Sequence, residues 1–80
     1  MKPHRRLPKE IVGANIRAAR RERRWTQHEV GVEIGATGPD VGRWERGVVE
    51  PGPRYRQALA DLFFGGEVAA LYREPEEVAA

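Results

Sequence analysis

The sequence predicts an all-α domain, and the strongest indication is a pair of short helices around a tight turn at residues 26–47. Thr26 precedes Glu29 by three positions, which is the spacing of a capping box that opens a helix. Thr37 is a second candidate N-cap, and Gly47 stands where a helix C-terminus favours glycine. We therefore expect a helix–turn–helix unit flanked by further short helices.

Length and composition limit the chain to one small domain. Its 80 residues include no cysteine, which excludes a disulfide framework and a thiolate metal site. No apolar run approaches the roughly 18 residues of a membrane span. The basic N-terminus is not followed by the apolar core of a secretory signal. We expect a cytoplasmic protein that carries no metal and no other cofactor.

The charge of the chain is unevenly distributed although the net charge is only +2. Residues 1–24 contain nine Lys or Arg and two Glu, a balance of +7, whereas residues 65–80 have a balance of −3. A localised basic region is expected of a protein that binds phosphate groups. A solvated helix face explains the same pattern equally well, so charge alone leaves both interpretations open.

Three more helices are predicted around the helix–turn–helix unit. The first covers residues 8–24, with Val12 and Ile16 on its apolar stripe and several arginines on the opposite face. A fourth helix is expected at residues 54–63, and a short fifth helix at residues 67–72.

These elements predict three regions along the chain. Residues 1–7 form a basic flexible arm, residues 8–72 form the helical domain, and residues 73–80 form an acidic C-terminal tail. The chain is either a complete minimal protein or a fragment of a longer one.

Residues 12–63 resemble the phage repressor and Cro-type (XRE) family of helix-turn-helix domains. The matching strings are VGANIRAARRER, WTQHEVGVEIGAT and VGRWERG, and the most specific parts are RWERG and the TQxE helix start. The resemblance implies a five-helix, lambda-repressor-like domain that binds double-stranded DNA. The recognition helix, residues 38–46, is then expected in the major groove.

The family positions that face base edges carry little side-chain chemistry in this chain. Arg43 alone has the planar fork that reads guanine O6 and N7. Asp40 either accepts from cytosine N4 or caps its own helix, and Pro39 suits a thymine methyl group. We therefore expect sparse base reading, with a larger share from DNA shape. The candidate base contacts are Gly38, Pro39, Asp40, Gly42 and Arg43.

Other polar and basic positions match phosphate or minor-groove contacts of the family. Gln27 opens the second helix, where backbone N–H groups and a polar side chain suit a phosphate. The arm either enters a groove or is disordered without DNA. The candidate phosphate or minor-groove contacts are Gln27, Thr37, Arg46, Arg54, Arg5 and Arg6.

Several residues are predicted to act within the protein. The resemblance implies a structural ion pair between Arg20 and Glu45 that orients the third helix against the first. Trp25 and Trp44 are expected in the core and not as platforms for stacking bases. The histidine at position 28 has no second ligand in the pattern, so we assign it no metal site.

The resemblance also implies a homodimer on a palindromic operator, because one domain reads only a half-site. Phe64 and Tyr72 are the candidate dimer contacts, although apolar residues near the C-terminus equally serve to close a small core.

The predicted function is a DNA-binding transcriptional regulator, of the phage or mobile-element repressor type. Two alternatives remain: the antitoxin of a toxin–antitoxin pair, and a protein-interaction module that kept the fold without reading DNA. No nucleophile–base pair, acid cleft or phosphate-binding glycine loop is evident, so we do not expect an enzyme.

Overall fold

The structure, a computed structural model, describes residues 6–75. Its elements in chain order are α1 (Pro8–Glu22), α2 (Gln27–Ile34), α3 (Gly38–Glu45), α4 (Pro53–Phe63) and a 3₁₀ segment (Val68–Tyr72). The all-α prediction is confirmed for this part of the chain, which contains no strand. Arg5 of the predicted arm and residues 76–80 of the predicted tail lie outside the described residues.

The first helix begins and ends through local backbone features. Pro8 occupies the first turn, and the Leu7 N–H donates to Glu10 Oε1 at 2.7 Å. After α1 the chain reverses at Arg24, a non-glycine residue with φ of 58°. The Trp25 N–H then donates to the Arg20 carbonyl at 3.1 Å, which brings the chain back toward the start of α2.

The next two helices are opened by reciprocal caps. The Thr26 hydroxyl accepts from the Glu29 N–H at 3.0 Å, and the Glu29 carboxylate accepts from the Thr26 N–H at 2.8 Å. Thr37 and Asp40 repeat this arrangement at the start of α3. Between the two helices, Gly35 adopts φ of 77°, a left-handed conformation that favours glycine.

The core forms where all the elements meet. Trp44 is buried and its ring lies 5.3 Å from that of Tyr55. Trp25 is half-buried at the core edge, with its ring 6.2 Å from Phe63. The buried cluster consists of Val12, Ile16, Ala19, Val30, Val41, Trp44, Leu59, Ala60, Phe63 and Leu71.

The C-terminal segment differs from the predicted fifth α-helix. Residues 6–75 contain four α-helices, and the fifth element is a five-residue 3₁₀ segment. Gly65 and Gly66 both have positive φ, which leaves few residues for a helix before Pro75. The Asn15 side chain also binds this segment, because its amide donates to the carbonyls of Leu71 at 2.7 Å and Arg73 at 2.8 Å.

Both candidate dimer contacts are half-buried against their own domain. The Phe64 ring lies 6.2 Å from that of Phe63. The Tyr72 hydroxyl donates to Glu50 Oε2 at 3.1 Å, and burial together with this hydrogen bond raises the pKa of Tyr72. Their role in a dimer stays a prediction.

None of the helices within residues 6–75 combines the length and apolar character needed to cross a membrane.

A close backbone approach sets the position of α3 on α1. A methyl group at Gly13 would overlap the Trp44 carbonyl oxygen and lie 3.0 Å from the Glu45 carbonyl oxygen. Because both neighbours are backbone atoms, neither can move without shifting the C-terminal end of α3. Glycine at position 13 therefore permits the contact between the two helices.

We expect Gly13→Ala to lower the free energy of unfolding by about 2 kcal/mol, because overpacking outweighs the better helix propensity of alanine. Urea denaturation followed by circular dichroism measures this loss. Gly52→Ala is the control, because a methyl group at Gly52 meets no atom within 4 Å. Equal midpoints for the two variants would contradict the proposed close contact.

Candidate nucleic-acid interface

A partly buried ion pair connects the end of α1 to the end of α3. Arg20 Nε lies 2.6 Å from Glu45 Oε2, and Arg20 Nη2 lies 3.0 Å from Glu45 Oε1. The two side chains are 14% and 3% exposed, respectively. Arg20 Nη1 also donates to the Trp25 carbonyl at 2.8 Å. The hydrogen bond to Glu45 raises the pKa of the Arg20 guanidinium, against the opposing effect of burial.

Gln27 extends this pair to the start of α2. Its Nε2 donates to Glu45 Oε1 at 3.2 Å, and the side chain is half-buried. The Glu45 carboxylate of α3 therefore binds one side chain of α1 and one side chain of α2. From the sequence, Gln27 was predicted only as a phosphate contact, and this internal hydrogen bond was not predicted.

Gly42 makes room for the same cluster. It is buried, and a methyl group there would lie 3.1 Å from Arg46 Nη1 and 3.2 Å from Gln27 Oε1. The structure thus places Gly42 beneath the Gln27 and Arg46 side chains. Arg46 itself is exposed at the C-cap of α3, so Gln27 and Arg46 form the rim of the helix–turn–helix unit.

The outer face of α3 carries the remaining candidate base contacts. Pro39 and Arg43 are exposed, and Gly38 is half-buried against the backbone of His28. The Arg43 guanidinium pairs with the Asp40 carboxylate one turn earlier on the helix. Arg43 is therefore held along α3 by a neighbour of opposite charge.

Asp40 has two partners in the structure. Its carboxylate accepts from the Thr37 N–H at 3.3 Å, and its own N–H donates to Thr37 Oγ1 at 3.1 Å. The hydrogen bonds with Thr37, and then the Arg43 charge, hold the pKa of Asp40 below its ordinary value of 3.8. Asp40 therefore caps α3 and orients Arg43 at the same time.

The other candidate contacts among the described residues are Arg54 and Arg6, of which Arg6 lines a surface cleft together with Glu45 and Arg46. Arg54 is exposed in the first turn of α4. Arg6 is exposed, and its Nε lies 4.0 Å from Glu74 Oε1. Within residues 6–75, no group of three or more His, Cys, Asp or Glu side chains is arranged to hold a metal ion.

The arrangement of helices matches that of a solved phage protein. It is similar to the P22 c2 repressor protein, whose structure was determined in complex with synthetic operator 9T in the presence of Tl⁺. The TM-score is 0.73 at 25% sequence identity, over 79% of this chain and 94% of the repressor chain. The chain is a Cro/C1-type helix-turn-helix domain. No protein-family model and no curated protein matches it in sequence.

Within this helix-turn-helix domain, two arginines of α1 gain significance from the structure. Arg17 and Arg21 are exposed on α1 and line the same cleft as Arg46. Their spacing of four residues places both on one face of the helix. That spacing was visible in the sequence, but only the packing of α1 against α3 shows which neighbour the face meets.

We expect Glu45→Ala to destabilise the helix-turn-helix domain by about 3 kcal/mol, because it leaves the partly buried Arg20 guanidinium without a counter-charge. The measurement is the urea denaturation midpoint. Glu33→Ala removes an exposed glutamate of α2 and is expected to change stability by less than about 0.5 kcal/mol. The Arg20→Ala/Glu45→Ala double variant should lose less than the sum of the two single variants. Additive losses would show that the pair has no coupling.

The lowered pKa of Asp40 predicts a pH-dependent contribution to stability. Since the folded-state pKa lies below the unfolded value, the contribution is present above about pH 4 and is lost as pH falls through the folded pKa. The stability difference between wild type and Asp40→Asn should therefore shrink in denaturation series from pH 6 toward pH 3. Arg43→Ala should keep most of this dependence, because Thr37 is the larger cause. A constant difference across the series would contradict the assignment.

Proposed function

We propose that the chain is a sequence-specific, double-stranded DNA-binding transcriptional regulator of the repressor type. The supporting observation is the α2–turn–α3 unit, braced by Arg20, Glu45 and Gln27, in a domain similar to a repressor solved with its operator. Under this proposal α3 lies in the major groove and α2 crosses the DNA backbone.

Arg43 reads the base sequence under this proposal. It is the exposed side chain of α3 with a fork that fits guanine O6 and N7. The Asp40 carboxylate directs the guanidinium and limits its rotation before DNA binds. Gly38 and Pro39 carry no side-chain donor, so the N-terminal end of α3 approaches the groove closely and Pro39 contacts a thymine methyl group. Specificity beyond these positions arises from DNA shape.

Phosphate contacts position the domain on the duplex. The Gln27 amide nitrogen donates to Glu45, so the proposed phosphate donors are the first backbone N–H groups of α2, which have no partner within the helix. Those N–H groups suit a phosphate oxygen. Arg46 and Arg54 are exposed at the end of α3 and the start of α4. The remaining proposed contacts are Thr37, Arg5 and Arg6.

Two copies act together on DNA. One α3 reads a half-site only, so useful affinity requires a second domain about one helical turn, ~34 Å, away on a palindromic operator. Phe64 and Tyr72 lie at the edge of the core, where a limited change of packing would bring them into contact with a second copy.

A specific surface feature supports a second candidate function, that of a protein-interaction module. Val32 is 64% exposed on α2 and lies beside the half-buried Trp25, with Glu29 and Glu33 next to them. An apolar patch bordered by acids suits a protein partner better than a phosphate. An antitoxin would use such a patch to hold a toxin while it binds DNA through α3.

Selection of bound duplexes from a random library tests the main proposal. Enrichment of a palindrome is expected for the wild-type chain. Arg43→Ala should then relax one base position in each half-site, with a loss of about tenfold or more for the selected sequence. Arg54→Ala is the comparison variant, and it should weaken all sequences alike and reduce the salt dependence by about one phosphate contact. If duplexes bind without enrichment, or do not bind, the protein-interaction module becomes the better explanation.

A further inference from the structure

An open cleft of about 580 Å³ lies at the surface where α1 meets the C-terminal end of α3. Its floor is the helix face that carries two small residues, Ala14 and Ala18, one turn apart. Arg17 and Arg21 rise from the same face of α1, and Arg46 and Gly47 close the opposite side. The small floor residues leave space between the arginines that larger side chains would fill.

The cleft carries an excess of available positive charge. Of the two acidic residues that line it, Glu45 is neutralised by Arg20, whereas Glu10 accepts the Leu7 N–H and keeps its negative charge. Three arginines that line the cleft form no ion pair within 4.0 Å among residues 6–75. By contrast, Arg43, Arg56 and Arg73 each have a carboxylate partner. The three cleft arginines are Arg17, Arg21 and Arg46.

We propose that this cleft binds the phosphate backbone of DNA beside the half-site that α3 reads, an inference that rests on the proposed function. Arg46 belongs to both surfaces, since it lies over Gly42 beside Gln27 and also lines the cleft. The DNA face of α2 and α3 therefore continues onto α1 without a break. Arg17 and Arg21 become positioning residues for DNA in addition to the contacts that the helix-turn-helix unit provides.

The chemistry of the cleft favours phosphate over the carboxylates of an acidic protein segment. The guanidinium fork binds the paired oxygens of carboxylates and phosphates alike, so the preference rests on the other residues of the cleft. The spacing of four residues separates the two side chains of α1 by about 6 Å along the helix. Among residues 6–75, the only apolar side chains that line the cleft are its two alanines, which are too small to hold an apolar residue of a peptide. The sparse base-reading chemistry of α3 also requires that much of the affinity come from phosphate contacts.

The test is the salt dependence of DNA binding by the full chain. The probe is a fluorescein-labelled, mixed-sequence duplex about three helical turns long, followed by fluorescence anisotropy at several salt concentrations. We expect Arg17→Ala/Arg21→Ala to reduce the slope of log affinity against log salt by about two, and to weaken binding roughly fivefold to tenfold per arginine near 0.1 M salt. Arg17→Lys/Arg21→Lys should keep most of the slope, because it keeps both charges.

Arg73→Ala is the matched control, because it removes an exposed arginine that pairs with Glu67 away from the cleft. Its slope should equal that of the wild type. The proposal is overturned if the double alanine variant keeps the wild-type slope, or if Arg73→Ala loses as much slope per charge. Thermal unfolding of each variant verifies the fold. If the alanine variant unfolds, Arg17→Gln/Arg21→Gln takes its place, because it removes both charges and keeps longer side chains. Absence of duplex binding by the wild-type chain would instead overturn the proposed function, and with it this inference.

Discussion

The carboxylate of Glu45 fixes how α1, α2 and α3 lie against one another. It accepts two hydrogen bonds from Arg20 and one from Gln27, so a single side chain of α3 joins three helices. A charge that is 3% exposed requires such compensation, because the loss of hydration is costly. The geometry of the helix–turn–helix unit therefore follows from the hydrogen bonds that compensate the Glu45 charge as much as from burial of its apolar residues.

Local signals made much of the fold predictable. The capping residues Thr26 and Thr37 each bind the backbone N–H three positions further along the chain. This spacing can be recognised in the sequence, and the structure contains both caps. The predicted fifth helix is present only as a 3₁₀ segment, so the five-helix count is not confirmed, and the form of this segment depends on distant partners. The amide of Asn15, 56 residues away along the chain, binds the carbonyl of Leu71 and helps to shape a 3₁₀ segment.

The candidate site was predictable as a set of positions but not as a set of contacts. Arg43 stood out because guanidinium chemistry is recognisable in isolation. Its pairing with Asp40 and the bond from Gln27 to Glu45 depend on rotamers and packing that periodicity does not encode. The same limit applies to Arg17 and Arg21, whose proximity to Arg46 requires knowledge of how α1 lies against α3.

The close contact at Gly13 has a consequence for how this domain can diversify. The position of α3 is fixed on its inner side, by the backbone contact with Gly13 and by the Glu45 side chain. The residues on its outer face therefore contribute little to holding the helix in place. Pro39 and Arg43 are exposed and make no contribution to the buried core. Substitutions on the outer face of α3 can therefore change the surface that this helix presents without altering the packing beneath it.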